Sequence, residues 1–179
     1  MQSHTTTNPN LEESKVSSDT IMALWEDLYT KKQQSWLTIL SGSMLPLLQI
    51  GDKVLIHAVK PTDIRFGDII VFKNPDKLIV HRIIRRHNNN GLSYLQKGDN
   101  ATTAEIVSSE YVLGKAIAIQ KGNRIIQLNT RKWKFINLAL TLFSCSVYYL
   151  KPRNPVLKRI AKFFYDKAKV IFDHVITKI

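Results

Sequence analysis

Between residues 36 and 128 the chain falls into short runs rich in β-branched and aromatic side chains, each closed by a turn signal. That texture restricts it to a mainly β fold. Strands are expected at 36–40, 53–58, 69–73, 78–86, 92–97, 112–120 and 124–128. The punctuation is Gly51-Asp52, Gly67-Asp68, Asn74-Pro75-Asp76, Asn88-Asn89-Asn90-Gly91 and Lys121-Gly122-Asn123. Many short strands with close-set turns predict a curled sheet or partly open barrel. Roughly ninety residues suffice to bury one core.

The flanks have a different texture. Residues 1–18 are rich in Ser, Thr and Asn and lack an apolar centre, so they are expected to form a disordered arm and not a secretory signal. Ser18 or Asp19 caps an expected helix over 19–34, with Ile21, Leu24, Trp25 and Leu28 on one stripe that packs on the body. The body is therefore placed at 19–130, and residues 131–179 form a basic amphipathic helical tail.

Charge supports that division. The chain carries a net charge of +12, yet residues 131–179 hold 11 basic side chains against 2 acidic ones. The tail therefore seeks a polyanion. Phe135 to Leu150 is mostly apolar but interrupted by Asn137, Thr141, Ser144 and Ser146. A helix of that length reaches about 24 Å at about 1.5 Å per residue. The hydrocarbon core is about 30 Å thick. Trp133, Tyr148 and Tyr149 flank the run as interfacial aromatics do. Beyond Pro155, Leu157, Ile160, Ala161, Phe164, Ala168, Ile171, Phe172, Val175 and Ile179 line one face of a second helix, with lysines and arginines largely on others. An anionic membrane surface contacted through 135–179 is the expected partner, with a helix packed on the body as the alternative and no nucleic acid expected. The single cysteine, Cys145, forms no internal disulfide and reads as a small buried hydrophobe.

The chemistry resides in three short motifs. Ser41-Gly42-Ser43-Met44-Leu45-Pro46 presents a serine in a turn; Val80-His81-Arg82 follows on a strand; Lys97-Gly98-Asp99-Asn100 ends another. A serine hydroxyl attacks carbonyls only when a neighbour takes its proton and donors hold the oxyanion. Ser43 is the candidate nucleophile, with its own N–H and the Ser41 hydroxyl as oxyanion donors. His81 shares a strand face with Ile79 and Ile83, and a half-buried imidazole stays neutral near pH 7, as a general base requires. His57 and His87 lack that setting. Either Asp99 or Glu105 is expected to hold the second imidazole nitrogen.

These motifs, with Gly67-Asp68-Ile69-Ile70-Val71-Phe72 between the first two, resemble the signal peptidase I family. They resemble in particular its histidine-type branch, found in the endoplasmic reticulum, archaea and some bacteria. The wider superfamily includes self-cleaving SOS and phage repressors. The resemblance runs from about Trp36 to Ile119. It implies a mostly β catalytic domain that takes substrate as an added strand. Ser43 would be the nucleophile, His81 the base and Ser41 an oxyanion helper, with small residues beside the scissile bond and no cofactor or metal. In that branch the acid lies six residues beyond the Gly-Asp aspartate, where this chain has Glu105. The expected function is a serine endopeptidase cleaving signal or leader peptides, membrane-associated, on the cytoplasmic membrane of a prokaryote. Typical members carry an N-terminal anchor; here the candidate membrane contacts are C-terminal. The alternatives are a non-catalytic peptide- or membrane-binding module on the same fold, and a self-cleaving regulator with DNA contact.

Overall fold

A computed structural model describes residues 34–75, 77–88 and 91–149, together with positions 159, 166, 167 and 170. The expected arm over 1–18, nearly all of the helix over 19–34 and all but those four positions of the second C-terminal helix lie outside the described residues. Gln34, assigned above to the end of the first helix, instead opens a strand.

Eight strands form one antiparallel sheet: β1 (Gln34–Thr38), β2 (Lys53–His57), β3 (Ile69–Asn74), β4 (Lys77–His87), β5 (Ser93–Lys97), β6 (Glu105–Ser108), β7 (Val112–Lys121) and β8 (Arg124–Gln127). Their order is β1-β2-β7-β3-β4-β5-β6, with β8 also paired to β7. The path does not close on itself, so β1 and β6 stand at its ends. The curled, open, mainly β architecture is as the turn spacing predicts. Seven strands fall within about two residues of their expected limits. The eighth, β6, was missed, because its four residues alternate weakly and Glu105 and Ile106 both face solvent.

Curvature comes from register breaks at Leu55/Ile56, Val71/Phe72 and Ile83/Arg85. Each such irregularity bends a strand and raises its local twist. The central strand β3 is consequently buried on both faces, and its run Ile69-Ile70-Val71-Phe72 is apolar throughout. One cluster gathers Ile69, Val71 and Val80 with Met44, Leu47, Leu48, Val54, Ile56 and Ile119. The other face gathers Ile70, Phe72, Ile83 and Tyr94.

Helix α1 (Arg131–Tyr149) follows β8. It starts earlier than the apolar pattern suggests because Thr130 caps it, accepting the Trp133 N–H on Oγ1 at 3.4 Å. Trp133 and Leu140 enter the first core cluster and fix the helix to the sheet. Phe135, Leu138, Leu142 and Tyr149 remain exposed. No helix among the described residues is long and apolar enough to cross a membrane.

Candidate active site

The serine turn is built by apolar anchoring. Met44, Leu47 and Leu48 are buried in the core, which holds the loop between β1 and β2 against the sheet. Ser41 stays exposed and Ser43 half-exposed above them. The two hydroxyl oxygens lie 3.4 Å apart. The turn contains a cis Leu45–Pro46 peptide, and the Leu48 N–H donates to Met44 O at 3.0 Å. At its far end Asp52 accepts from Gln49 N–H at 2.8 Å and from Lys121 Nζ at 2.6 Å, closing the loop onto β7.

His81 arrives from β4, opposite Ile70 of β3. The position that brings it to the serine is Gly98. A Cβ there would stand 2.6 Å from Ser43 O, 3.2 Å from Ser43 Cβ and 3.0 Å from His81 Nε2. Real side chains do not tolerate such contacts, so the residue between nucleophile and base must lack one. The neighbouring backbone secures the approach, because Asn100 N–H donates to Ser43 O at 2.9 Å and Asn100 Nδ2 to Gly42 O at 3.3 Å. The Ser41–Ser43 turn and His81, far apart along the polymer, thus converge on one small volume.

The rest of the Lys97-Gly98-Asp99-Asn100 motif turns away from the imidazole. Arg82, the residue after His81, is completely buried, and its Nε and Nη2 donate to the two oxygens of Asp99 at 2.6 and 2.7 Å. Its Nη1 donates to Gly67 O at 3.2 Å, to Thr141 Oγ1 at 3.3 Å and to Asn137 Oδ1. Lys97 Nζ, also buried, donates to Gly98 O at 3.1 Å and Ser144 Oγ at 3.0 Å. Asn137, Thr141 and Ser144, three of the four polar residues that interrupt the apolar run of α1, therefore form a stripe that satisfies two buried cations, while Ser146 Oγ donates to Phe143 O at 2.7 Å. Gly67, at φ +86°, allows the close approach: a Cβ there would lie 3.0 Å from Thr141 Oγ1.

Neither carboxylate expected on the imidazole hydrogen-bonds it. Asp99 is engaged by Arg82, and Glu105 is exposed on β6. The partner of His81 is Gln96, whose Oε1 lies 2.5 Å from Nδ1. Sequence reasoning passed over this residue. The available signal was an uncharged amide next to the apolar pair Tyr94-Leu95 in a short strand. Burial pushes the His81 pKa below the ordinary value of 6.5; the Gln96 hydrogen bond and the charges of Asp99 and Glu105 oppose that, and Lys97 reinforces it. Burial thus favours the neutral imidazole. The ring of Phe72 meets it edge-on with centroids 6.1 Å apart. Beyond Phe72 and Gln96 opens a cavity of roughly 390 Å³, also lined by Glu105 and Tyr111.

Residues 3–120 fit the description Peptidase S24-like. The chain belongs to the Peptidase S24-like family. Within it, the chain stands with the signal peptidase I-like members. It is 36% identical over 85 residues to the signal peptidase complex catalytic subunit SEC11C of Homo sapiens, covering 44% of each chain. The same figures hold for SEC11C of Canis lupus familiaris. Against the signal peptidase complex catalytic subunit SEC11 of Saccharomyces cerevisiae (strain YJM789) it is 35% identical over 108 residues, 57% of this chain and 62% of the yeast one. The chain thus spans about half the length of the curated relatives it matches. Helix α1, which supplies Asn137, Thr141 and Ser144, lies beyond the family match.

Proposed function

We propose that this chain is a serine endopeptidase that cuts signal or leader peptides, with Ser43 as nucleophile and His81 as general base and acid. The observation that carries the reading is the meeting of Ser43 and His81 Nε2 at Gly98. Staggered rotation about the Ser43 Cα–Cβ bond swings Oγ between Ser41 and the imidazole. His81 Nε2 takes the hydroxyl proton as Oγ bonds to the scissile carbonyl carbon, and the C=O electron pair becomes an oxyanion. The Ser41 hydroxyl, beside Ser43 Oγ, donates to that oxyanion. The imidazolium then protonates the leaving amine as the C–N bond breaks, leaving an acyl-enzyme. Water repeats the sequence, losing a proton to His81, and the ester bond to Ser43 breaks.

The relatives' names, catalytic subunits of a signal peptidase complex, support an exported or leader-bearing protein as substrate and protein partners for the chain. The test uses a peptide with small residues at the cut site. Ser43→Ala and His81→Ala are each expected to lower cleavage by about 1,000-fold or more while the thermal midpoint stays near that of the parent. Retained cleavage in either variant rejects the assignment. A serine-directed covalent probe separates this reading from a binding module, since only an activated Ser43 hydroxyl is labelled.

For location we propose an anionic membrane surface contacted through 135–179. The exposed Phe135, Leu138, Leu142 and Tyr149 of α1 and the basic excess beyond residue 130 support it. Co-sedimentation with phosphatidylserine vesicles, lost at high salt, is the expected outcome; no binding at low salt rejects it.

A further inference from the structure

His81 is held by a neutral amide, although two carboxylates lie close enough for their charge to reach it. Gln96 is 3% exposed, on β5, and its register partner on β4 is Ile83, beside the bulge between Ile83 and Arg85. An amide oxygen can only accept a hydrogen bond, so the proton of the 2.5 Å contact belongs to His81 Nδ1. The lone pair is then on Nε2, the nitrogen that faces Gly98 and Ser43. The opposite tautomer would point an N–H at the serine and leave no base there.

We propose that Gln96 is the positioning residue of the catalytic histidine: its side-chain oxygen, taking the place of an acid, fixes the imidazole as the Nδ1–H tautomer with Nε2 open to Ser43. This rests on the peptidase reading above. The charged groups around the imidazole fit the assignment. Asp99, after β5, is neutralised by Arg82; Glu105, on β6 opposite Gln96, faces solvent; Lys97 of β5 is turned toward α1. From β3 the imidazole faces apolar side chains, its register partner Ile70 and the Phe72 ring. No charge on His81 Nδ1 is therefore needed to set its direction, and the amide alone does so. An acid in that place would also stabilise the imidazolium; the amide orients the ring while leaving it a weaker base.

The experiment uses the full chain with Gln96→Met, which keeps shape without an acceptor, and Gln96→Glu, which keeps an acceptor and adds charge. Three measurements are made: kcat and KM against pH with a small-residue peptide, 15N shifts of the imidazole, and thermal midpoints. In the parent the shifts are expected to show Nδ1 protonated and Nε2 bare. Gln96→Met should mix the tautomers and lower kcat by about 100-fold with KM within about twofold. Gln96→Glu should keep the tautomer, retain most of kcat and move the acid limb of kcat/KM to higher pH, because a carboxylate favours the imidazolium. Parental kcat in a folded Gln96→Met, or an Nε2–H imidazole in the parent, overturns the proposal. Failure of the peptidase reading looks different: no Ser43-dependent cleavage in the parent at any pH. The 15N shifts then still decide whether Gln96 holds the imidazole.

Discussion

His81 and Arg82 are adjacent in the chain, and the two sides of β4 make opposite uses of them. On one side the imidazole sits half-exposed, held by one amide and open toward Ser43. On the other the guanidinium is sealed beneath α1, its donors taken by Asp99, Gly67, Asn137 and Thr141. Strand alternation separates the two jobs by a single residue. The same split runs through β5, where Gln96 faces the imidazole and Lys97 faces the helix. The lesson is that a catalytic motif can be half chemistry and half scaffold, and a buried charge within it need not belong to the reaction.

The largest effect expected from breaking the buried side is on stability. Asp99→Asn leaves Arg82 charged and poorly compensated in a dry site, and removing one partner of such a pair costs about 3–5 kcal/mol. Denaturant unfolding should show that loss, while the folded fraction of the variant keeps Ser43-dependent cleavage. If Asp99→Asn abolishes turnover without changing stability, the division between the two sides of β4 is wrong.

Gly98→Ala attacks the open side. Its methyl must displace Ser43 or His81, which stand 3.2 and 3.0 Å from it. A displacement near 1 Å in a reacting pair costs about 100-fold. That loss should appear in kcat measured on folded protein.

The third effect is the slope of stability with acid. Burial lowers the His81 pKa below 6.5, so as pH falls from that value the unfolded chain binds a proton before the folded one does. Stability should therefore decline through the window between 6.5 and the lower folded value. Chemical denaturation of His81→Gln against pH should lack this contribution. The smallest change belongs to Glu105→Gln. Glu105 raises the His81 pKa through charge alone, so its removal moves the acid limb of kcat/KM to slightly lower pH, with kcat within about threefold. A larger fall would restore Glu105 as the acid that orients the histidine.

Most of the sheet was legible because its strands are runs rich in β-branched and aromatic side chains that end in Gly-Asp or Asn-rich turns, which tertiary packing had no reason to override. The meeting of Ser43 and His81 at Gly98 was legible for a related cause: each sits in a local setting that suits the role proposed for it, a turn for Ser43 and an apolar strand face for His81. Gln96 was not, since its role depends on the β4–β5 register and on a bulge that no local pattern announces. Nor was Arg82. A charged residue alternating with Val80 and Ile84 reads as an ordinary strand position until a helix from fifty-five residues away supplies Asn137. The polar breaks in 135–150 spoke against a membrane span; in the fold, Asn137, Thr141 and Ser144 are anchors.

Those anchors bear on how the protein's minimal unit is defined. The family match ends at residue 120, yet Arg82 and Lys97 are covered by side chains from 137 to 144. An expression fragment trimmed to the matched region would strip the lid from two interior cations and admit water beneath the turn that carries Gly98. Boundaries taken from homology alone would then mistake an unsupported fragment for an inactive protein.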